Sequence, residues 1–163
     1  MADGDLELAI QKVATAMAGI RLENGYRHDV VKVYRTFGPL FDSLDSIETP
    51  ALAVARTPGV FDEPRNLDER GYFYRIPISV AGCIKRGAEN AEDDLAPTRG
   101  EALLSDIRRV QFVDPKFGTQ GVGPGNIKQS IWRGGLNDAA WDASAIYVLA
   151  MFDIWTVTDG VNP

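Results

Sequence analysis

Apolar residues Leu6, Ile10, Val13, Met17 and Ile20 recur at alternating spacings of four and three between Asp5 and Leu22. At 3.6 residues per turn this spacing lines one face, so the segment is predicted to form an amphipathic helix. Asp3, Asp5 and Glu7 stand at the end where the helix dipole favours negative charge. Asn24-Gly25 then offers two residues that tolerate the left-handed conformation that ends helices. Two short apolar runs follow, Val30 to Tyr34 and Ala51 to Ala55, the second just after Pro50, and both are predicted strands.

The period changes to two between Gly71 and Cys83, where Tyr72, Tyr74, Ile76, Ile78 and Val80 alternate with Phe73, Arg75, Pro77, Ser79 and Ala81. The first set forms a wholly apolar strand face. Pro77 has no backbone donor, so this strand is expected at a sheet edge, or bulged there, rather than paired on both sides at that point. An acidic linker, Glu89 to Asp94, leads to Pro97 and to Thr98-Arg99-Gly100-Glu101, which matches a capping box and announces a second helix. Its core stripe is Leu103, Ile107 and Val110, with Leu104 on the flank and Arg108 and Arg109 toward solvent. Asp114 to Ser130 holds Gly118, Gly121, Gly123, Pro124 and Gly125 and is predicted to be a long loop. From Ala143 to Thr158 apolar residues occupy both alternating sets, which predicts a central strand covered on both faces. The order is helix, two or three strands, helix, then one or two strands: a single α+β domain over 1–163.

A chain of 163 residues removes roughly 70% of its unfolded surface from water on folding, so no covalent staple is needed. The single cysteine, Cys83, cannot form an intrachain disulfide, and one Cys with one His builds no zinc pattern. The N-terminus opens with acids where a secretory signal carries Lys or Arg, and Ala143 to Val157 contains Asp153 and falls short of a membrane span. Neither export nor membrane insertion is expected. The 17 Lys and Arg stand against 23 Asp and Glu, a formal charge of -6. Such a chain repels a phosphate backbone, and Lys85-Arg86 and Arg108-Arg109 are isolated pairs, so no sequence-specific nucleic-acid binding is expected.

Candidate chemistry is sparse. His28 is the only histidine, and its neighbour Asp29 would point to the opposite side of a strand. After Gly125 come Asn126 and Ile127 where a phosphate-binding loop needs Lys and then Ser or Thr. Asp62-Glu63, Asp68-Glu69 and Asp93-Asp94 are adjacent acids in polar loops, unlike a catalytic pair facing across a cleft. Cys83 sits in an apolar strand, where a thiol behaves as a small hydrophobe. No catalytic, cofactor-binding or metal-binding residue is assigned. An alternative reading keeps a small cofactor-independent enzyme with an active site between subunits, drawing on His28 and the carboxylates of Asp62 to Glu69.

Large aromatics in loops are more informative, because such residues are enriched at protein interfaces. Phe37, Phe41, Phe61 and Phe117 lie in predicted loops, and Trp132, Trp141 and Trp155 in the C-terminal third. The chain resembles the tail terminator proteins of long-tailed bacteriophages, with the related neck and tail-completion proteins. The resemblance rests on the opening helix running into Asn24-Gly25-Tyr26 and Asp29-Val30, on Thr49-Pro50-Ala51-Leu52-Ala53-Val54, and on Glu101-Ala102-Leu103-Leu104-Ser105-Asp106-Ile107-Arg108-Arg109 after a long alternating strand. It covers about the first two-thirds of the chain; the glycine-rich loop and the Trp132 to Trp141 segment lie outside it.

The resemblance implies a mixed sheet flanked by two main helices, in a virion structural protein made in the host cytoplasm. It further implies a homo-oligomeric, hexameric ring that caps the tail tube protein and faces the head connector, without enzymatic activity. The residues expected at interfaces are Phe61, Arg65, Arg75, Pro77, Ser79, Phe117 and Trp132. The first helix and the strand bearing Pro77 are expected to touch neighbouring subunits. The segments Arg56 to Arg70 and Asp114 to Ser130 are expected to order only in the assembly.

Overall fold

The computed structural model describes residues 4–58, 63–66, 72–86, 96–121, 125–138 and 144–158, with backbone alone for 63–66, 72–73, 96 and 157–158. Helix α1, Asp5–Ala18, buries the predicted stripe of Leu6, Ile10, Val13 and Met17 together with Ala9. It ends earlier than Asn24-Gly25. Gly19 closes it with an N–H directed to the carbonyls of Ala16 and Met17, and Gly25, at φ 80°, instead caps a short 3-10 turn over Leu22–Asn24. Strand β1 is Lys32–Tyr34, α2 is Gly38–Asp42, β2 is Ala51–Arg56, β3 is Glu63–Asn66 and β4 is Tyr72–Lys85. Helix α3, Ala96–Val113, is followed by β5, Ile127–Asp138, and β6, Ala145–Thr158. Thr98 lies inside α3, whose first turn takes Pro97 where a missing N–H costs nothing, so the expected capping box is not the helix start.

One mixed sheet carries the fold, in the order β1-β2-β4-β6-β5 with β3 beside β4. β1 and β2 are parallel and all other pairs antiparallel. The α+β reading with two main helices on a mixed sheet therefore holds. Both α1 and α3 cover the same sheet face, α1 against β1 and β2, α3 against β5 and β6. Ile76, Ile78 and Val80 of β4 meet Leu103, Ile107 and Val110 of α3 in this main core. Gly82 and Gly135 let α3 approach closely: a Cβ at Gly82 would stand 2.8 Å from Val148 and 2.9 Å from Leu103, and one at Gly135 2.8 Å from Leu104.

The strand bearing Pro77 is central, which corrects the expected edge, although at Pro77 itself it is laddered on one side only, as its missing donor led one to expect. It pairs with β6 along its whole length, Tyr72 opposite Thr158 through Lys85 opposite Ala145. On its other side β2 ends opposite Ile78 and β3 begins opposite Arg75. The Pro77 carbonyl accepts from Thr57 N at 2.9 Å. A strand residue directs its N–H and C=O to the same side, so the missing donor of Pro77 also faces Thr57; the reciprocal bond is not made there, and the β2 ladder ends at Arg56.

The long edge is β5 instead, most of which was expected to be loop or unassigned. Its ladder is interrupted between Ile127 and Gln129 and between Trp132 and Gly134, so Lys128 and Arg133 are the extra residues. Bulges and cations are two devices that keep an edge from recruiting foreign strands.

Candidate interaction surface

Among the described residues, the second face of the sheet is only half covered. Over β2 and β4 it is lined by Ala51, Ala53, Ala81 and Cys83, small enough for α2 and the following turn to drop Leu40 and Ile47 onto them. Over β5 and β6 no helix follows among the described residues. Leu136 stands opposite Leu149, and Gly134 opposite Met151. Leu136 is 57% exposed, and Ile131 and Met151 are exposed beside it. Single exposed apolar residues are ordinary, but cross-strand neighbours form a contiguous patch.

A buried carboxylate interrupts this patch. Asp153 is 5% exposed, and its Oδ2 accepts from Arg133 Nε at 2.6 Å and Nη2 at 2.5 Å, with Arg75 Nη1 at 3.7 Å. A carboxylate withdrawn from water needs such partners, since desolvation costs several kcal/mol otherwise. The bulge after Trp132 supplies one of them by turning Arg133 onto the face of Asp153. Next to it the hydroxyls of Thr57 and Ser79 share a hydrogen bond of 2.9 Å. Thr57, Arg75, Pro77, Arg133, Met151 and Asp153 line an open concavity of about 370 Å³.

Two further concavities flank the sheet. One of about 460 Å³ lies on the same outer face, lined by Phe41, Asp42, Ser43, Asp45, Ser144 and Tyr147 among others. The other, about 350 Å³, lies on the helix side between α3 and β5 and includes Glu101, Ser105, Arg108 and Trp132.

Of the residues expected at interfaces, Arg75, Pro77 and Ser79 do come together on the outer face. Pro77 and Ser79 are nevertheless buried there, Ser79 at 2% exposure, so the face around them is not freely exposed to solvent. Phe117 is buried too, its ring stacked on Phe152 at 5.5 Å, which corrects its expected place at an interface. The Asp114 carboxylate holds its turn by accepting from Lys116 N at 3.1 Å and Gly118 N at 2.5 Å. Trp132 is half-buried on the helix side, under Arg108. Arg65 belongs to β3, opposite Phe73, where only the backbone is described, and Phe61 lies outside the described residues.

His28 has a partner that adjacency in sequence did not indicate. Its Nδ1 lies 2.8 Å from Oδ2 of Asp106, which is buried on α3 and also accepts from Arg27 N at 3.0 and 3.2 Å. Asp29 faces elsewhere and accepts from Leu22 N at 2.7 Å. With Arg109 donating to the Gly25 carbonyl and lying over the Tyr26 ring, these contacts clamp the 25–29 segment to α3. Among the described residues no group of three His, Cys, Asp or Glu is placed to hold a metal ion, and no helix is long and apolar enough to cross a membrane.

A scan against protein-family models finds no match, and no curated protein sequence matches the chain.

Proposed function

We propose that this chain is a structural virion assembly subunit of the tail terminator kind, a homo-oligomeric ring that caps a phage tail tube and presents a surface to the head connector. The observation that carries the reading is the sheet face that the described residues leave half covered, where Met151 lies between Ile131 and Leu136 along β5–β6 and all three are exposed. A sheet is stable when each apolar face is covered by another layer, and another subunit can supply it. The resemblance described above supplies the identity of the assembly.

The test is light scattering after size-exclusion chromatography, with negative-stain micrographs of the protein alone and mixed with tail tubes. Rings, or caps on tube ends, are the expected result; a protein strictly monomeric at high concentration that leaves tube ends bare overturns the reading. Leu136→Glu and Met151→Glu should weaken assembly while changing thermal stability by less than about 0.5 kcal/mol, the usual range for surface sites.

The contact of His28 with the buried carboxylate of Asp106 favours a second reading, a small cofactor-independent enzyme with its active site between subunits. His28→Asn distinguishes the two, since tail completion by this variant at the wild-type level removes the enzymatic reading.

A further inference from the structure

We infer that the exposed C-terminal half of α3 in one copy docks into the acidic concavity beside α2 on the outer sheet face of a second copy. The inference rests on the homo-oligomeric reading above and names the two surfaces that meet. On the helix side, Phe112 and Val113 are 59% and 69% exposed at the end of an otherwise well-packed helix. Arg108, one turn earlier, has its guanidinium 5.0 Å from the centroid of the Phe112 ring and 5.7 Å from that of Trp132. A guanidinium held against two aromatic rings is already oriented, so less freedom is lost when it meets a carboxylate. Among the described residues it makes no ion pair. Arg, Trp and Phe are also residue types enriched where interfaces concentrate their binding energy.

The receiving surface has the opposite character. Phe41 is 54% exposed and stacks on Tyr147 with centroids 5.1 Å apart. Asp42 and Asp45 are exposed beside them and are the charged residues of the 460 Å³ concavity. Among the described residues, Lys85 is the cation that reaches this segment, and its ammonium donates to the backbone carbonyl of Asp45 at 3.3 Å rather than to either carboxylate.

The occupant follows from charge and placement. A cation flanked by apolar side chains matches two carboxylates beside an exposed aromatic pair. These surfaces lie on opposite faces of one sheet, so a single chain cannot bring them together, whereas a second copy can. A contact between two different patches is heterologous, the kind that closes rings when the rotation permits.

The experiment is sedimentation velocity over a dilution series at low salt, using Arg108→Glu, the pair Asp42→Arg with Asp45→Arg, and an equimolar mixture of these two proteins. Asp42 and Asp45 are exposed, so the melt of their double variant should match the wild type, while Arg108→Glu loses its contacts with Phe112 and Trp132 and should melt slightly lower but still fold cooperatively. Each variant alone is expected to self-associate at least about tenfold more weakly, because like charges then face each other. The mixture should recover wild-type association, since every contact in it pairs opposite charges again. Phe112→Ser should weaken association without changing any charge.

A wild type that associates while both charge variants associate equally well overturns this contact and leaves the oligomeric reading standing. A mixture that fails to recover overturns it as well. Weakening by Arg108→Glu but not by the α2 pair overturns the named occupant, because α3 then docks on another partner or another site. A wild type that stays monomeric at millimolar concentration overturns the oligomeric reading itself.

Discussion

Gly82→Ala is expected to destabilise the fold measurably, although it adds a single methyl group. Gly82 lies in β4, on the face turned toward α3, and its backbone is not in the left-handed region, so alanine meets no dihedral obstacle. The obstacle is packing. A Cβ would stand 2.8 Å from Val148 Cγ2, 2.9 Å from Leu103 Cδ2 and 3.1 Å from Leu52 Cδ2, all three residues being buried. Carbon atoms pack at about 3.5–4.0 Å, so each contact is short by several tenths of an ångström, and Val148 is β-branched and cannot rotate away cheaply. Overpacking of this kind costs about 1–3 kcal/mol. The lower entropy of an unfolded chain bearing alanine offsets about 0.5–1 kcal/mol. The net loss is about 0–2.5 kcal/mol, centred on about 1 kcal/mol, which for a domain of this size lowers Tm by about 2–4 °C at the centre of the range. Urea denaturation followed by tryptophan fluorescence reads the change as a lower midpoint at an unchanged slope. Leu103→Ala alone should cost about 2–5 kcal/mol, and adding Gly82→Ala in that background should cost less than it does in the wild type, because one of the three clashes is gone. A Gly82→Ala protein more stable than the wild type, or equal costs in both backgrounds, would refute the close seating of α3 on β4.

Asp106→Ala should destabilise by about 2–3 kcal/mol, because it removes the acceptor for a backbone N–H and for the His28 ring from a buried site. His28→Ala should cost less, about 1 kcal/mol, and amide exchange of Arg27 should accelerate only in the Asp106 variant. Asp153→Ala should destabilise by about 1–3 kcal/mol, discounted from a fully buried pair because Arg133 is half exposed and can reach water. Asp153→Leu should be the milder change in the same thermal melt, since a well-packed apolar side chain often replaces a buried charge without loss.

The two main helices, α1 and α3, and strands β4 and β6 were legible in the sequence because their signals are local, whereas α2 lay in a segment expected to be loop. The stripe from Leu6 to Ile20 and that of Leu103, Ile107 and Val110 needed only the helical period, and all of these residues are buried. The apolar set of Ile76, Ile78 and Val80 needed only the period of two, and the run from Ala145 onward, apolar on both faces, is indeed central, between β4 and β5. The features missed depend on neighbours far along the chain. Strand β5 alternates with little burial and carries Gly134 and Gly135, so its own pattern is faint and its pairing with β6 defines it. Pro77 marks an edge by local chemistry, yet a central strand accommodates it where β2 stops and β3 has not begun. Phe117 sits among glycines and still finds Phe152 to stack upon.

The candidate surface divides in the same way. Sequence alone placed Arg75, Pro77 and Ser79 on one strand face, because a strand's alternation is a property of consecutive residues. Joining that face to Arg133 and Asp153 required the β4–β6 register and the bulge in β5, and joining His28 to Asp106 required α3 to fold back over the 25–29 segment. Periodicity tells which side of an element is apolar, since every backbone of that type repeats alike. Which elements become neighbours, and therefore which apolar side stays uncovered, is decided by long-range pairing that no single segment encodes.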